Sequence, residues 1–168
     1  VINPINFRLG AADVQYIADN ADSKAFFVQD EFRPLVDSIK PNLKKVRDYI
    51  CIGKKKIDDY RDYETLLSRS AEEEPSVSVC PEDIWILLYT SGTTGKPKGV
   101  LRSHESYAAF YLINAVDFGF TDREVCLTIM PLCHVNSTFF SFAVTYIGGT
   151  LYIHPARNFR AEEILEIV

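Results

Sequence analysis

The 168-residue sequence predicts an α/β layered fold, with a mainly parallel sheet flanked by helices. Three observations carry that reading. Short, β-prone apolar runs alternate with helical patterns along most of the chain. The run "IWILLYT" (84–90) shows no polar alternation, as expected of a strand with both faces covered. Glycines and prolines stand where these runs end, as stop signals for helices and strands.

Taken in order, Gly10 is a tolerable N-cap, and "AADVQYIADNA" (11–21) places Val14, Ile17, Ala18 and Ala21 on one helical face. "KAFFVQD" (24–30) is short, apolar and strand-like. Residues 32–40 form a second helix ended near Pro41, and "KVRDYICIG" (45–53) a second strand closed by Gly53. "KKKIDDY" (54–60) mixes charge signs at a turn and reads as a solvated loop; "YRDYETLLSRS" (60–70) reads as a helix. "AEEEPSVSVCPED" (71–83) is polar, holds two prolines and lacks periodicity. Such a stretch is a surface linker, dividing a first α/β portion (1–70) from a second portion (84–168).

Beyond "IWILLYT", "GVLRS" (99–103) is a short strand. Ser103 caps the apolar helix "HESYAAFYLINAVDF" (104–118), with Glu105 near its positive end. "EVCLTIM" (124–130) is a strand stopped by Pro131. "HVNSTFFSFAVTYIGG" (134–149) is a buried helix ended by Gly148 and Gly149, and "TLYIH" (150–154) returns to the sheet. "FRAEEILEIV" (159–168) starts a last helix and stops as its apolar stripe emerges. The chain also begins at Val1, without a signal-peptide pattern, so the sequence is expected to be an excised piece.

Bulk composition narrows the function. With 18 basic against 23 acidic residues the net charge is −5, which leaves no basic excess for nucleic acid. No apolar run approaches the roughly 18 residues of a membrane span. Cys51, Cys80, Cys126 and Cys133 show no CxxC spacing, and three lie in apolar surroundings, a usage that fits a reducing cytoplasm. His104, His134 and His154 are scattered, without an acidic partner motif, so no metal site is expected in this chain.

The chemistry concentrates in "YTSGTTGKPKGV" (89–100). Gly92 and Gly95 let successive backbone N–H groups converge on one point, while Thr90, Ser91, Thr93 and Thr94 add hydroxyl donors there. Lys96 and Lys98 supply charge and Pro97 stiffens the chain between them. A loop so built, leaving the carboxyl end of a sheet strand, should cradle a polyphosphate. It is not a P-loop of the GxxxxGK[ST] type, because only Thr93 and Thr94 separate its first two glycines. On composition alone, a flexible connection with incidental lysines is an equal reading.

The ordered string decides between them. "YTSGTTGKPKGV" resembles the signature loop of the adenylate-forming superfamily, which includes acyl- and aryl-CoA synthetases, peptide-synthetase adenylation domains and firefly luciferase. "VINPINFRLGAADVQYIADNADSKAFFV" and "MPLCHVNSTFFSFAVTYIGGTLYI" resemble the stretches before and after that loop in fatty-acyl-CoA synthetases, so the resemblance spans nearly the whole chain. It implies a partial N-terminal domain of an AMP-forming acid-CoA ligase. Such an enzyme uses Mg²⁺·ATP to convert a carboxylic acid, here of the fatty class, to an acyl-adenylate, then transfers the acyl group to coenzyme A. By resemblance Thr90, Ser91, Gly92, Thr93, Thr94, Gly95 and Lys98 hold the β- and γ-phosphates. His134 lies beside the carboxylate and acyl-adenylate, at the strand end that shares the phosphate crevice, with Asn136 and Ser137 near the acyl pocket. His104 reads as capping and packing, and His154 as structural.

Departures from the family pattern matter equally. The chain lacks the magnesium-ligating glutamate, the ribose-binding aspartate and the small domain with the catalytic lysine, so no complete catalytic set is present and the piece alone is expected to be inactive. Arg160 stands where relatives carry a better helix cap, and Asn158 is the substitute. Two other readings remain: an adenylation domain loading an amino or aryl acid onto a carrier protein, and a non-catalytic nucleotide-binding or scaffolding module. An exposed sheet edge gives the piece a route to self-association.

Overall fold

The computed structural model describes residues 1–53, 57–90, 95–154 and 160–167. Helices and parallel strands alternate as the sequence pattern requires, and the chain divides into two units. The first holds residues 1–80 and 85–101, the second residues 81–84 and 102–168. Residues 71–80, although free of helix and strand, stay with the first unit, and so do most of the two strands that bracket the glycine loop.

In the first unit, α1 (Ala11–Asn20) is followed by β1 (Ala25–Gln29), α2 (Arg33–Ile39) and β2 (Asp48–Ile52). Gly10 occupies the N-cap of α1 with no side-chain cap, and Val14, Ile17 and Ala18 form its buried face. β1 and β2 run parallel in register from Ala25 opposite Asp48 to Gln29 opposite Ile52, the βαβ arrangement in which a crossover helix covers the sheet. Val14 and Ala18 of α1, Val28 of β1, Val36 and Ile39 of α2, Leu43 and Tyr49 close one core cluster. Strand alternation sends Phe27 the opposite way from Val28, and its ring meets Tyr63 of α3 (Tyr63–Ser68) edge-on at 6.5 Å. A two-residue strand, β3 (Arg61–Asp62), pairs parallel to β2 just before α3. Sequence pattern missed it, because two residues carry no periodicity; Asp62 doubles as the α3 N-cap, accepting the Thr65 N–H at 2.7 Å.

β4 (Ile84–Thr90) and β5 (Lys98–Ser103) form a two-stranded sheet. The apolar run of β4 buries Ile86, Leu87 and Leu88 in succession, and β4 also takes a parallel bridge from Ile2 to Ile86. Both sides of the strand are therefore covered where the sequence shows no alternation. The strands are distributed over three sheets among the described residues, β1–β2–β3, β4–β5 and β6–β7, rather than joined in one.

In the second unit, α4 (His104–Phe118) spans the predicted limits. Ser103 Oγ accepts the Ser106 N–H at 3.2 Å at one end, and Gly119 turns left-handed with φ of 66° at the other. β6 (Val125–Thr128) is shorter than the predicted 124–130, since the chain turns out of the strand before Pro131. It pairs parallel to β7 (Thr150–Ile153), with α5 (Val135–Tyr146) as the crossover. The expected buried character of α5 arises through aromatic contact with α4: Phe110 and Phe139 lie 4.6 Å apart, and Tyr111 meets Phe139, Phe142 and Tyr146. Burial pushes the Tyr111 hydroxyl well above its ordinary pKa. The last helix, α6 (Ala161–Ile167), carries Glu163, which pairs with Arg160 at 3.1 Å and stands 3.9 Å from His154. His154 thus has an acidic neighbour that no local motif announced. Asn158, offered as the cap of this helix, lies outside the described residues.

Candidate functional site

The glycine loop leaves β4 at Thr90 and returns as β5 at Lys98. Among the residues expected to hold phosphates, Ser91, Gly92, Thr93 and Thr94 lie outside the described residues; Thr90, Gly95 and Lys98 lie within them. Thr90 and Lys98 are exposed, and Thr90 Oγ1 donates to the Lys98 carbonyl across the base of the loop at 3.5 Å. Gly95 has φ of 91°, a conformation open to glycine and costly for residues with a Cβ. At the start of β5, Gly99 sits so close to β4 that a Cβ there would fall 2.9 Å from Leu87 Cδ1 and 3.2 Å from Tyr89 Cζ. The glycine therefore admits the Tyr89 ring against β5.

Two contacts from α1 meet this base. Tyr89 donates its hydroxyl to Asn20 Oδ1 at 2.6 Å, and the Lys96 ammonium lies 5.4 Å from the centre of the Tyr16 ring. Burial pushes the Tyr89 hydroxyl pKa up, and neighbouring Tyr16 adds to the effect. Sequence reading passed over Tyr16 and Asn20. The available signal was their i,i+4 spacing, which puts two polar-tipped residues on one strip of α1 beside its buried face.

The second set of residues begins α5. His134 is its N-cap and is exposed; its Nδ1 accepts the Asn136 N–H at 3.3 Å. An accepting Nδ1 carries no hydrogen, so the neutral imidazole holds its proton on Nε2, as a donor. Asn136 is exposed beside it. Ser137 is buried, and its hydroxyl donates to the Met130 carbonyl at 2.9 Å. Thr138, which sequence reading did not single out, donates to the carbonyls of Leu132 at 2.8 Å and His134 at 3.0 Å. These two hydroxyls bind the first turn of α5 to the segment that delivers His134. Thr128 and Ser141 add a buried hydroxyl pair at 3.2 Å.

None of the four cysteines is in a disulfide, and burial raises the Cys51 thiol pKa. Cys133 neighbours His134 in sequence, but the His134 Nδ1 is directed to Asn136. Among the described residues no group of three His, Cys, Asp or Glu side chains could hold a metal ion, and no helix is long and apolar enough to cross a membrane.

Comparison with known proteins gives these features a family. The long-chain fatty acid CoA ligase of Thermus thermophilus is 30% identical over 153 residues, covering 89% of this chain and 27% of that protein. The long-chain fatty acid CoA ligase FadD13 of Mycobacterium tuberculosis is 32% identical over 170 residues, covering 98% of this chain and 31% of that protein. Among solved structures, the anthranilate CoA ligase AuaEII in complex with anthranoyl-AMP superposes with a TM-score of 0.91 at 25% identity, over 97% of this chain and 32% of that one. The chain thus spans about a third of the length of the proteins it matches. The family described as AMP-binding enzyme matches residues 1–168. The chain belongs to the AMP-binding enzyme family.

Proposed function

We propose that this chain is the phosphate-loop portion of a longer AMP-forming acid-CoA ligase. That protein activates a carboxylic acid with ATP to an acyl-adenylate and pyrophosphate, then forms the thioester with coenzyme A. The observation that carries the reading is the loop of hydroxyls, glycines and lysines from Thr90 to Lys98 at the carboxyl end of β4, in a chain matched throughout by one family. Relatives named for long-chain and medium-chain fatty acids support an acid of the fatty class. Others are named for 3-methylmercaptopropionate and anthranilate, so the choice of acid is the finest part of the proposal. Transfer to coenzyme A is preferred over loading a carrier protein because these relatives are CoA ligases by name.

In this reading the departing pyrophosphate gathers negative charge, and the donors that meet it belong to Thr90, Ser91, Gly92, Thr93, Thr94 and Gly95, with the Lys98 ammonium. Preorganisation is what the protein contributes, because donors held by the fold need not reorient as the charge develops. His134 and Asn136 serve the acid and its adenylate, with the His134 Nε2–H as the donor toward the carboxylate. Ser137 supports them by holding Met130.

Acid-dependent exchange of pyrophosphate into ATP tests the proposal. The longer protein should show it with a fatty acid, and should release AMP when coenzyme A is added; the 168-residue chain alone should show neither. Absence of exchange with every acid tried would favour a non-catalytic nucleotide-binding module. His134→Ala in the longer protein should raise KM for the acid or lower kcat for adenylation, while KM for ATP moves less. If the imidazole serves only as a cap, the variant should instead lose about 1 kcal/mol of stability with unchanged acid kinetics. Melting temperature read beside the two KM values separates the cases.

A further inference from the structure

We infer that α1 is the seat of the phosphate loop, with Tyr16 and Asn20 as positioning residues for Lys96 and Tyr89; the inference rests on the phosphate-binding role proposed above. Tyr89 is the next-to-last residue of β4, and Lys96 stands two residues before β5. They are the points at which the chain enters and leaves the loop. Each is held by one residue of α1, at positions four apart and so on one strip of the helix.

The helix is suited to this task because its neighbouring face is fixed. Val14, Ile17 and Ala18 are buried, Ile17 and Ala18 at 1% exposure each, so Tyr16 and Asn20 project from a rigid rod rather than from a loop. At the entry, the 2.6 Å bond from the Tyr89 hydroxyl to Asn20 Oδ1 sets where β4 ends. That ring is also packed against Gly99, the second residue of β5, so entry and exit are coupled through one side chain. At the exit, the Tyr16 ring attracts the Lys96 ammonium through its negative face and keeps a second positive charge beside the Lys98 segment. Lys96 is otherwise an exposed side chain with several free rotations, which would lose much of its effect on a bound polyphosphate by averaging over solvent.

The contacts predict coupling that a merely structural helix would not produce. In the longer protein, Tyr16→Leu should raise KM for ATP roughly two- to fivefold, the range of an exposed cation–ring contact, with KM for the acid unchanged. Lys96→Ala should raise it similarly, and adding Tyr16→Leu to Lys96→Ala should do nothing more. Tyr16→Phe keeps the ring and should restore the parent value. Asn20→Ala should raise KM for ATP between roughly two- and tenfold, the range of one hydrogen bond; Asn20→Asp keeps the acceptor and should behave as the parent. Multiplying effects of Tyr16→Leu and Lys96→Ala, or equal change in both substrates, would overturn the inference. Lys98→Ala in the same assay separates the two levels. If it slows adenylation while the α1 variants leave KM for ATP untouched, only the positioning role fails; if it too is without effect, the phosphate reading fails with it. Lys96→Ala changes an exposed side chain, so its result is readable even should Tyr16→Leu fold poorly.

Discussion

Lys98→Ala in the longer protein is expected to slow acyl-adenylate formation by roughly thirty- to a thousandfold, the 2–4 kcal/mol lost with one preorganised donor to a developing anion. Lys98 is the first residue of β5 and is tied to the strand pair, because its carbonyl accepts from Thr90 Oγ1. Its stem therefore starts from a fixed point, unlike that of Lys96, two residues inside the loop. The partial reactions give the test its resolution. Thioester formation from supplied acyl-adenylate involves no departing pyrophosphate, so it should be slowed far less than adenylation. Single-turnover measurement of each step checks this. Equal slowing of both would assign Lys98 to the structure of the β4–β5 pair, and unchanged adenylation would remove it from the site.

Ile39→Ala is expected to destabilise the first unit by about 2–5 kcal/mol, a large part of the roughly 5–15 kcal/mol that holds a domain folded. Ile39 ends α2 at 3% exposure inside the cluster of Val14, Ala18, Val28, Val36, Leu43 and Tyr49. Truncation removes its transfer free energy and leaves a cavity among side chains from five segments, which cannot all collapse inward together. Ile39→Val, which removes a single methylene, should cost about 0.5–1.5 kcal/mol. Urea unfolding of the 168-residue chain, with circular dichroism as the readout, checks the order. Equal midpoints for both variants would mean that the cluster is not a cooperative core. Because Val14 and Ala18 of the same cluster belong to α1, the loss should also loosen the helix that carries Tyr16 and Asn20.

Much of this molecule is determined by short-range sequence. The helix over 104–118 has its limits written at Ser103, an acceptor for the Ser106 N–H, and at Gly119, which alone takes the left-handed turn without strain. β1 and β2 follow from apolar, β-branched and aromatic runs, and the family from one uninterrupted string at 89–100. In each case the physical cause lies within a few residues of its effect: a cap, a stop or a periodicity of one element. His134 as the start of α5 belongs to the same class, since Pro131 and the apolar run after it mark the boundary.

Other features were decided only by tertiary structure. The division of the strands among three sheets in the described residues, and the two-residue β3 beside β2, depend on which backbone groups meet, and no local pattern encodes that choice. Ser137 was read from sequence as an acyl-site residue; folding turns its hydroxyl onto the Met130 carbonyl, and Thr138, unremarked in sequence, onto Leu132 and His134. A Ser or Thr side chain takes its role from whichever carbonyl the fold brings within about 3 Å, and its identity alone does not name that partner. The Tyr89–Asn20 bond joins residues 69 positions apart. Helix periodicity could place Asn20 and Tyr16 on one strip of α1, but only the packing of Val14, Ile17 and Ala18 aims that strip at the base of the loop, because burial of the apolar face leaves the polar one a single direction to point.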